Sequence, residues 1–125
     1  MSTKARIALR NLDEVALECR NGIVPHVRIA STFGSRFIGL MNRSRLGAEE
    51  GLLFVPGGGI HTCWMRFTID VIFLDAQLEA VRVISNVLPW RLVPAPRRTH
   101  YVLELAAGSA PQMGIEEGTQ LRICR

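Results

Sequence analysis

The stretch "IHTCWMRFTIDVIFLD", residues 60–75, joins a group of chemically versatile side chains to an apolar run. Its second half, "DVIFLD", is apolar at every position between two aspartates, which is typical of a central strand buried on both faces. After a tight turn, "LEAVRVIS" (residues 78–85) predicts the partner strand, with Glu79 and Arg82 facing outward. The stretch therefore predicts the middle of a β-sheet.

Most of the remaining chain also divides into short strands. The runs "ARIALR" and "EVALECR" alternate in part and predict a β-hairpin, and the turn signal Asn21-Gly22 leads into a third strand at residues 26–30. Further apolar runs predict strands in "GLLFVP" (51–56), "YVLELA" (101–106) and "TQLRIC" (119–124). These strands do not alternate regularly with helices.

Helical spacing occurs in two places. In "STFGSRFIGLMNRSRL" (31–46) the apolar residues recur at helical intervals, and Ser31 or Thr32 can cap the first turn. The segment "GSAPQMGIEEG" (108–118) predicts a second short helix, capped by Ser109. The fold class predicted is α+β and mostly β: a small curled or barrel-like antiparallel or mixed sheet with two short helices.

Length and composition predict a single domain over residues 1–125. A chain of 125 residues with 48% hydrophobic residues can bury a core without disulfides. Three cysteines without a C-x-x-C pair favour free thiols in a reducing compartment. The N-terminal "MSTKARIALRNLDEV" lacks the apolar core of a signal peptide, and no run approaches a membrane span. We therefore expect a soluble, cytoplasmic bacterial protein that does not enter a membrane.

The net charge of +4 comes mostly from arginines scattered along the chain. A nucleic-acid surface needs basic residues gathered on one face, so the pattern disfavours nucleic acid as a partner. The chain also lacks a paired metal motif, a phosphate loop, a dinucleotide fingerprint and a nucleophile elbow. We therefore predict no cofactor and no metal, and catalysis is disfavoured.

Four separated blocks carry a resemblance to a known family. In chain order they are "GLMNRSRLGAEEGLLF", "IHTCWMRFTIDVIFLD", "VRVISNVLPWR" and "YVLELAAGSAPQMGIEEGTQL". Between about residues 30 and 123 the sequence resembles the prokaryotic domain-of-unknown-function 192 family (DUF192). The family's central pattern falls here on His61, Thr62, Met65, Arg66 and Asp70, while Thr68 stands where a proline is common. The resemblance implies a small β-rich domain, to which residues 1–29 add strands, and does not imply a reaction.

The segment 61–68, interpreted as one strand, places His61 and Cys63 on the same face, about 6.5–7 Å apart at Cα. Such a pair can form a thiolate nucleophile or supply two ligands to a soft metal, and either role needs a third group. The structural alternative is that His61 bonds a backbone carbonyl and Cys63 fills the core.

Asp70 is hard to explain as a passive residue, because it directly precedes a strand buried on both faces. A buried carboxylate must be paired or must accept several N–H groups. It can pair with Arg66, or it can accept backbone N–H groups from the glycine loop "GGG" (57–59). Alternatively, Asp70, His61 and Arg66 line a pocket for a small polar or anionic ligand, with the glycine loop as its lip.

The loop "NVLPWRLV" places Trp90 beside Arg91 between prolines. An exposed tryptophan next to an arginine is frequent at protein interfaces. The alternative is that Trp90 folds back as a lid over one end of the sheet.

The sequence favours a non-catalytic module that binds a small ligand or a protein partner near the glycine loop and the 61–70 segment. The predicted binding residues are Gly58, His61, Thr62, Trp64, Arg66, Asp70 and Trp90. The alternative is a small hydrolase or transferase that uses His61 and Asp70 as an acid–base pair. A third hypothesis is nucleic-acid binding through the scattered arginines. The sequence names neither the ligand nor the oligomeric state.

Overall fold

The computed structural model describes residues 9–124. Its strands are β1 (Glu14–Cys19), β2 (Gly22–Ala30), β3 (Glu50–Phe54), β4 (Ile60–His61), β5 (Ile69–Leu74), β6 (Ala80–Val87), β7 (Leu92–Val93), β8 (Tyr101–Ala106) and β9 (Arg122–Cys124). Its helices are a 3-10 turn (Leu9–Asn11), α1 (Phe33–Ile38) and α2 (Ser109–Gln112). Seven strands form one sheet in the order β6-β5-β8-β3-β2-β1-β9, and β4 and β7 form a separate pair. The mostly β, α+β fold class is confirmed.

Strand β5 is central, as its apolar run predicts. All six of its residues are buried, and it lies antiparallel between β6 and β8. Side chains of alternate residues point to opposite faces, so Ile72 and Leu74 join one apolar cluster while Val71 and Phe73 join another. The sheet therefore has a hydrophobic core on each side.

The hairpin near the N-terminus forms at the predicted turn Asn21-Gly22. The structure pairs β1 with β2 around Asn21-Gly22, and β2 begins at Gly22 rather than at His26. The run "ARIALR" lies mostly outside the described residues, and its last residues start the 3-10 turn. The turn signal and the two strands that it joins are confirmed, while the hairpin predicted between "ARIALR" and "EVALECR" falls largely outside the described residues.

The sheet is mixed and curled, and it stays open. Strands β2 and β3 are parallel, and the other neighbouring pairs are antiparallel. A bridge between Glu79 and Gln120 and the bond from Leu121 N to Leu78 O bring its two ends together at one side. Strands β6 and β9 themselves do not pair, so the barrel is not closed.

Helix α1 lies in the crossover that the parallel β2–β3 pair requires. The hydroxyl of Thr32 accepts a hydrogen bond from Ser35 N at 3.0 Å, and the hydroxyl of Ser35 accepts one from Thr32 N at 3.0 Å. This reciprocal cap confirms Thr32 of the two proposed capping residues. Gly39 ends the helix with φ of +49°, a backbone conformation that favours glycine.

The segment after β4 corrects the sequence interpretation. Only Ile60 and His61 are in a strand, and residues 62–68 turn and bend before β5 begins. Trp64 has φ of +63°, which is incompatible with an extended strand. His61 and Cys63 therefore do not share one face of a straight strand.

Candidate functional site

A cavity of about 180 Å³ opens between α1, the glycine loop and the sheet. It is lined by residues 36–41, residues 56–61, Phe54, Met65 and Glu104. An apolar cavity of roughly 150 Å³ is large enough to hold benzene. This space, called the Glu104 cavity below, is therefore large enough for a small organic molecule.

Gly57 fixes the glycine loop against the sheet. Its N–H donates to the carbonyl of His100 at 2.7 Å. A Cβ at this position would lie 2.5 Å from Val102 N and 2.6 Å from Tyr101 C, so no larger residue fits without a backbone shift. A Cβ on Gly58 would meet no atom within 4 Å. The loop is thus anchored at its first glycine and open at its second.

Glu104 lies in the middle of β8, on the face that carries α1. Its register partners are Leu52 on β3 and Val71 on β5, and both side chains belong to the apolar cluster on that face. The residue is 2% exposed, and its Oε1 is a buried atom without a hydrogen-bond partner in the part of the chain described. Glu104 also lines the cavity, so an occupant of the cavity would lie next to this residue.

Burial of Glu104 changes its protonation. Removal from water raises the pKa of its carboxyl to about 8, because the charged form loses hydration without gaining a partner. At neutral pH the group is therefore mostly neutral and can both donate and accept a hydrogen bond. Arg36 and His61 are the other charged or titratable side chains that line the cavity.

Sequence reasoning missed Glu104, although a signal was present. The run "YVLELA" predicts a strand, and alternation along that strand assigns its glutamate to one face of the sheet. In a strand flanked on both sides, a glutamate that alternates with Val102 and Ala106 occupies a core position. A charged residue at a core position is a departure from the pattern that often has a functional cause.

His61 reaches the cavity at the end of β4. Its Nδ1 accepts a hydrogen bond from Cys63 N at 3.2 Å, so the neutral ring carries its proton on Nε2. The ring lies 5.6 Å from the ring of Phe37, a helix residue of the same cavity. Cys63 thus contributes its backbone rather than its thiol to this arrangement. Within residues 9–124, no group of three or more His, Cys, Asp or Glu is placed to hold a metal ion.

Asp70 is buried and fully engaged, but with different partners from those considered above. Its Oδ1 accepts from Asn86 N at 3.0 Å, and its Oδ2 accepts from Gly108 N at 3.1 Å and Ala110 N at 2.9 Å. The carboxylate therefore binds the start of α2, where no side chain of α2 provides a cap. Ser109, the predicted cap, does not cap α2. Neither Arg66 nor the glycine loop donates a hydrogen bond to Asp70.

Thr62 is the second buried polar residue of the predicted set. Its Oγ1 donates to Leu88 O at 2.6 Å and accepts from Arg91 N at 2.9 Å. Its carbonyl also accepts from Trp90 N at 3.0 Å. Thr62 therefore ties the β4 segment to the loop that carries Trp90.

Trp64 and Trp90 contact each other, with ring centroids 5.0 Å apart. Their exposed fractions are 60% and 57%, so Trp90 does not fold back as a lid. Both residues have positive φ, a strained conformation for a side chain of this size. Arg66 is exposed nearby in sequence and forms no salt bridge within the described residues.

The seven predicted binding residues thus divide by position. Gly58 and His61 line the Glu104 cavity. Thr62 and Asp70 are buried and satisfied by backbone groups, and Trp64, Arg66 and Trp90 are exposed outside the cavity lining. His61 and Asp70 share no hydrogen bond, as an acid–base pair would.

The family model DUF192, described as "Uncharacterized ACR", matches residues 16–123. The chain belongs to this family. The match begins before residue 30, where the sequence motifs began, and so takes in both strands of the N-terminal hairpin.

Relatives come from archaea and from bacteria. The UPF0127 protein of Pyrococcus furiosus is 34% identical over 101 residues, which cover 76% of this chain and 84% of that protein. The UPF0127 protein of Thermococcus gammatolerans is 33% identical over 99 residues, which cover 74% of this chain and 63% of that longer protein.

Two crystal structures resemble the fold. A protein of unknown function from Novosphingobium aromaticivorans superposes with a TM-score of 0.76 at 27% identity, covering 87% of this chain and 83% of that chain. A Sinorhizobium meliloti protein, provisionally named a transcription regulator, gives 0.78 at 23% identity, covering 88% and 92%. At that identity the second shows the fold alone. Among the described residues, none of the helices has the length and hydropathy to cross a membrane.

Proposed function

We propose that this protein is a binding module whose small ligand occupies the Glu104 cavity. The observation that carries the proposal is the buried, unpartnered Oε1 of Glu104 beside a space of about 180 Å³. A buried carboxyl without a partner is costly, and a protein retains such a group where something supplies the missing contact. The ligand supplies it here.

The cavity wall defines the general chemistry of that ligand. Leu40, Phe54 and Met65 are at most 8% exposed and form an apolar wall. A suitable ligand has an apolar body of a few heavy atoms and a hydrogen-bonding group that meets Glu104. Gly58 and His61 belong to the same site, and the Nε2–H of His61 is available as a second donor.

The other predicted binding residues act indirectly in this proposal. Thr62 and Asp70 hold the surrounding backbone, since their polar atoms are occupied by main-chain groups. Trp64, Arg66 and Trp90 lie outside the cavity lining and stay predicted contacts for a ligand or partner. A reaction that uses His61 and Asp70 would need the two side chains to approach a common substrate, and the hydrogen bonds of Asp70 hold it at α2.

Ligand-observed and amide-observed NMR with a library of small molecules tests the proposal. We expect compounds with a hydrogen-bonding group on a short apolar body to shift the backbone amides of residues 36–41 and 57–61. The variant Glu104→Leu keeps the cavity apolar but removes the carboxyl, and it should lose this binding. The control variant Glu117→Leu changes an exposed glutamate and should bind as the natural protein does.

Two results would overturn the proposal. One is a library that leaves the amides of residues 36–41 and 57–61 unmoved at millimolar concentration. The other is undiminished binding by a folded Glu104→Leu variant, because the carboxyl would then contribute nothing to recognition.

A further inference from the structure

The cavity is lined by one acidic and one basic side chain that differ in burial. Glu104 on β8 is 2% exposed, whereas Arg36 on α1 is half-buried. The two side chains form no salt bridge with each other, and the apolar wall of Leu40, Phe54 and Met65 belongs to the same cavity. A molecule in the cavity therefore has both a guanidinium and a carboxyl in the surrounding wall.

The charge of Arg36 is not neutralised by an acidic residue in residues 9–124. Its Nε donates to Thr32 O at 3.4 Å and its Nη1 donates to Pro56 O at 3.5 Å. Both contacts are long and both acceptors are backbone carbonyls, which orient the group without cancelling its charge. The planar donor fork of Arg36 is thus available for a carboxylate.

We infer that the Glu104 cavity binds a small zwitterion, with its ammonium group at Glu104 and its carboxylate at Arg36. The inference rests on the proposed function and names the ligand class for the same site. A buried carboxyl gains most from a cationic donor, because a charge-assisted hydrogen bond offsets the loss of hydration. A short aliphatic chain between the two charged groups matches the apolar wall and the cavity volume of about 180 Å³.

The proton balance of ligand binding follows from the burial of Glu104. At neutral pH the free carboxyl of Glu104 holds its proton, since burial raises its pKa to about 8. When the ammonium binds, the ion pair forms with the carboxylate, and the proton of Glu104 leaves to the buffer. The ligand keeps its own proton. Arg36 stays charged throughout, and His61 is the other titratable side chain that faces the cavity.

The test is calorimetric titration at pH 7 with three probes of one length: 5-aminopentanoate, pentylamine and pentanoate. Each is measured in two buffers of different ionisation enthalpy, so that proton release is counted. We expect 5-aminopentanoate to bind best and to release close to one proton. Arg36→Gln should weaken it about tenfold and leave pentylamine unchanged. Arg122→Gln, on the exposed strand β9, is the matched control and should have no effect.

Glu104→Gln separates the ligand's contact with Glu104 from its contact with Arg36. This variant should weaken both amines and abolish the proton release, while its folded state is checked by its thermal melt. Equal binding of pentylamine and 5-aminopentanoate, or preference for pentanoate, would overturn the zwitterion and leave the binding module intact. The zwitterion would also be overturned, and the binding module kept, if none of the three probes bound while library compounds still shifted the cavity amides. Failure of both experiments would remove the proposed function as well.

Discussion

Two acidic residues of this protein, Asp70 and Glu104, are equally buried and chemically opposite. Asp70 accepts three backbone N–H groups at 2.9–3.1 Å, which replace the hydration of a charged carboxylate. Glu104 has no such donor for its Oε1 and faces leucine and valine across the sheet. Asp70 is thus a structural residue for α2, and Glu104 is free to interact with a ligand.

Asp70→Asn should destabilise the fold. The amide of asparagine has only one acceptor oxygen. Its NH₂ group would face at least one backbone N–H that now donates a hydrogen bond to the carboxylate. We expect a loss of about 2–3 kcal/mol in the free energy of unfolding and a melting temperature lower by several degrees. Thermal and urea denaturation measure it, with Asp13→Asn at an exposed site as the control. An unchanged melting temperature would contradict the structural role.

Glu104 should make the fold less stable as the pH rises. The pKa of Glu104 is raised by burial from 4.5 to about 8, so between these values the folded chain holds a proton that the unfolded chain has lost. The stability that depends on the bound proton is complete below pH 4.5 and is lost as the pH rises to about 8, with a slope of about 1.4 kcal/mol per pH unit. Urea denaturation between pH 4.5 and 8 should show that the free energy of unfolding falls as the pH rises. The fall should be absent in Glu104→Gln and present in Glu117→Gln. If the free energy of unfolding of the natural protein depended on pH in the same way as that of Glu104→Gln, the raised pKa of Glu104 would be refuted.

At the scale of elements, the glycine loop has one fixed and one open position. A Cβ at residue 57 would clash with the backbone of β8, whereas a Cβ at residue 58 would meet nothing. The loop forms one wall of the Glu104 cavity because its first glycine sits directly against the strand that carries Glu104.

This contrast predicts a matched pair of variants. Gly57→Ala should cost roughly 2 kcal/mol or more, since the clash is with backbone atoms that cannot rotate away. Gly58→Ala should stay within about 0.5 kcal/mol of the natural protein. Chemical denaturation of the two variants side by side provides the comparison. Equal costs at the two positions would show that the loop is not anchored as described.

The strands that sequence predicted best are those with continuous apolar runs. Strand β5 and its partner β6 follow from "DVIFLD" and the alternation after it, because burial on both faces leaves few alternatives. Residues 62–68 were misjudged as a strand, since nothing local shows that Trp64 takes a positive φ. The carboxylate cap of α2 by Asp70 was also hidden, because its donors lie up to 40 residues away.

The residues of the candidate site that lie close together in the sequence were predictable, and the distant ones were not. Gly58 and His61 are local to the quoted stretch and do line the cavity. Arg36 and Glu104 come from α1 and β8, and only the parallel crossover between β2 and β3 and the pairing of β3 with β8 bring them together. Sequence alone gives no register for such distant pairs, so it gave no reason to join them.

At the scale of the whole molecule, the curled seven-stranded sheet separates two apolar layers. One layer is closed by the hairpin, α2 and β9, and it holds most of the large buried side chains. The other layer is covered by α1, the glycine loop and the segment 60–68, and the Glu104 cavity lies there. The first layer stabilises the fold, which leaves the second able to keep an unfilled space.

The carboxyl ¹³C shift of Glu104, followed by NMR against pH in the free protein, tests the central claim most directly. We expect a midpoint near pH 8, because the group is buried without a partner for its Oε1. A midpoint near the ordinary glutamate value of about 4.3 would mean that the carboxyl is hydrated or paired. That result would contradict the cavity as a site that depends on Glu104.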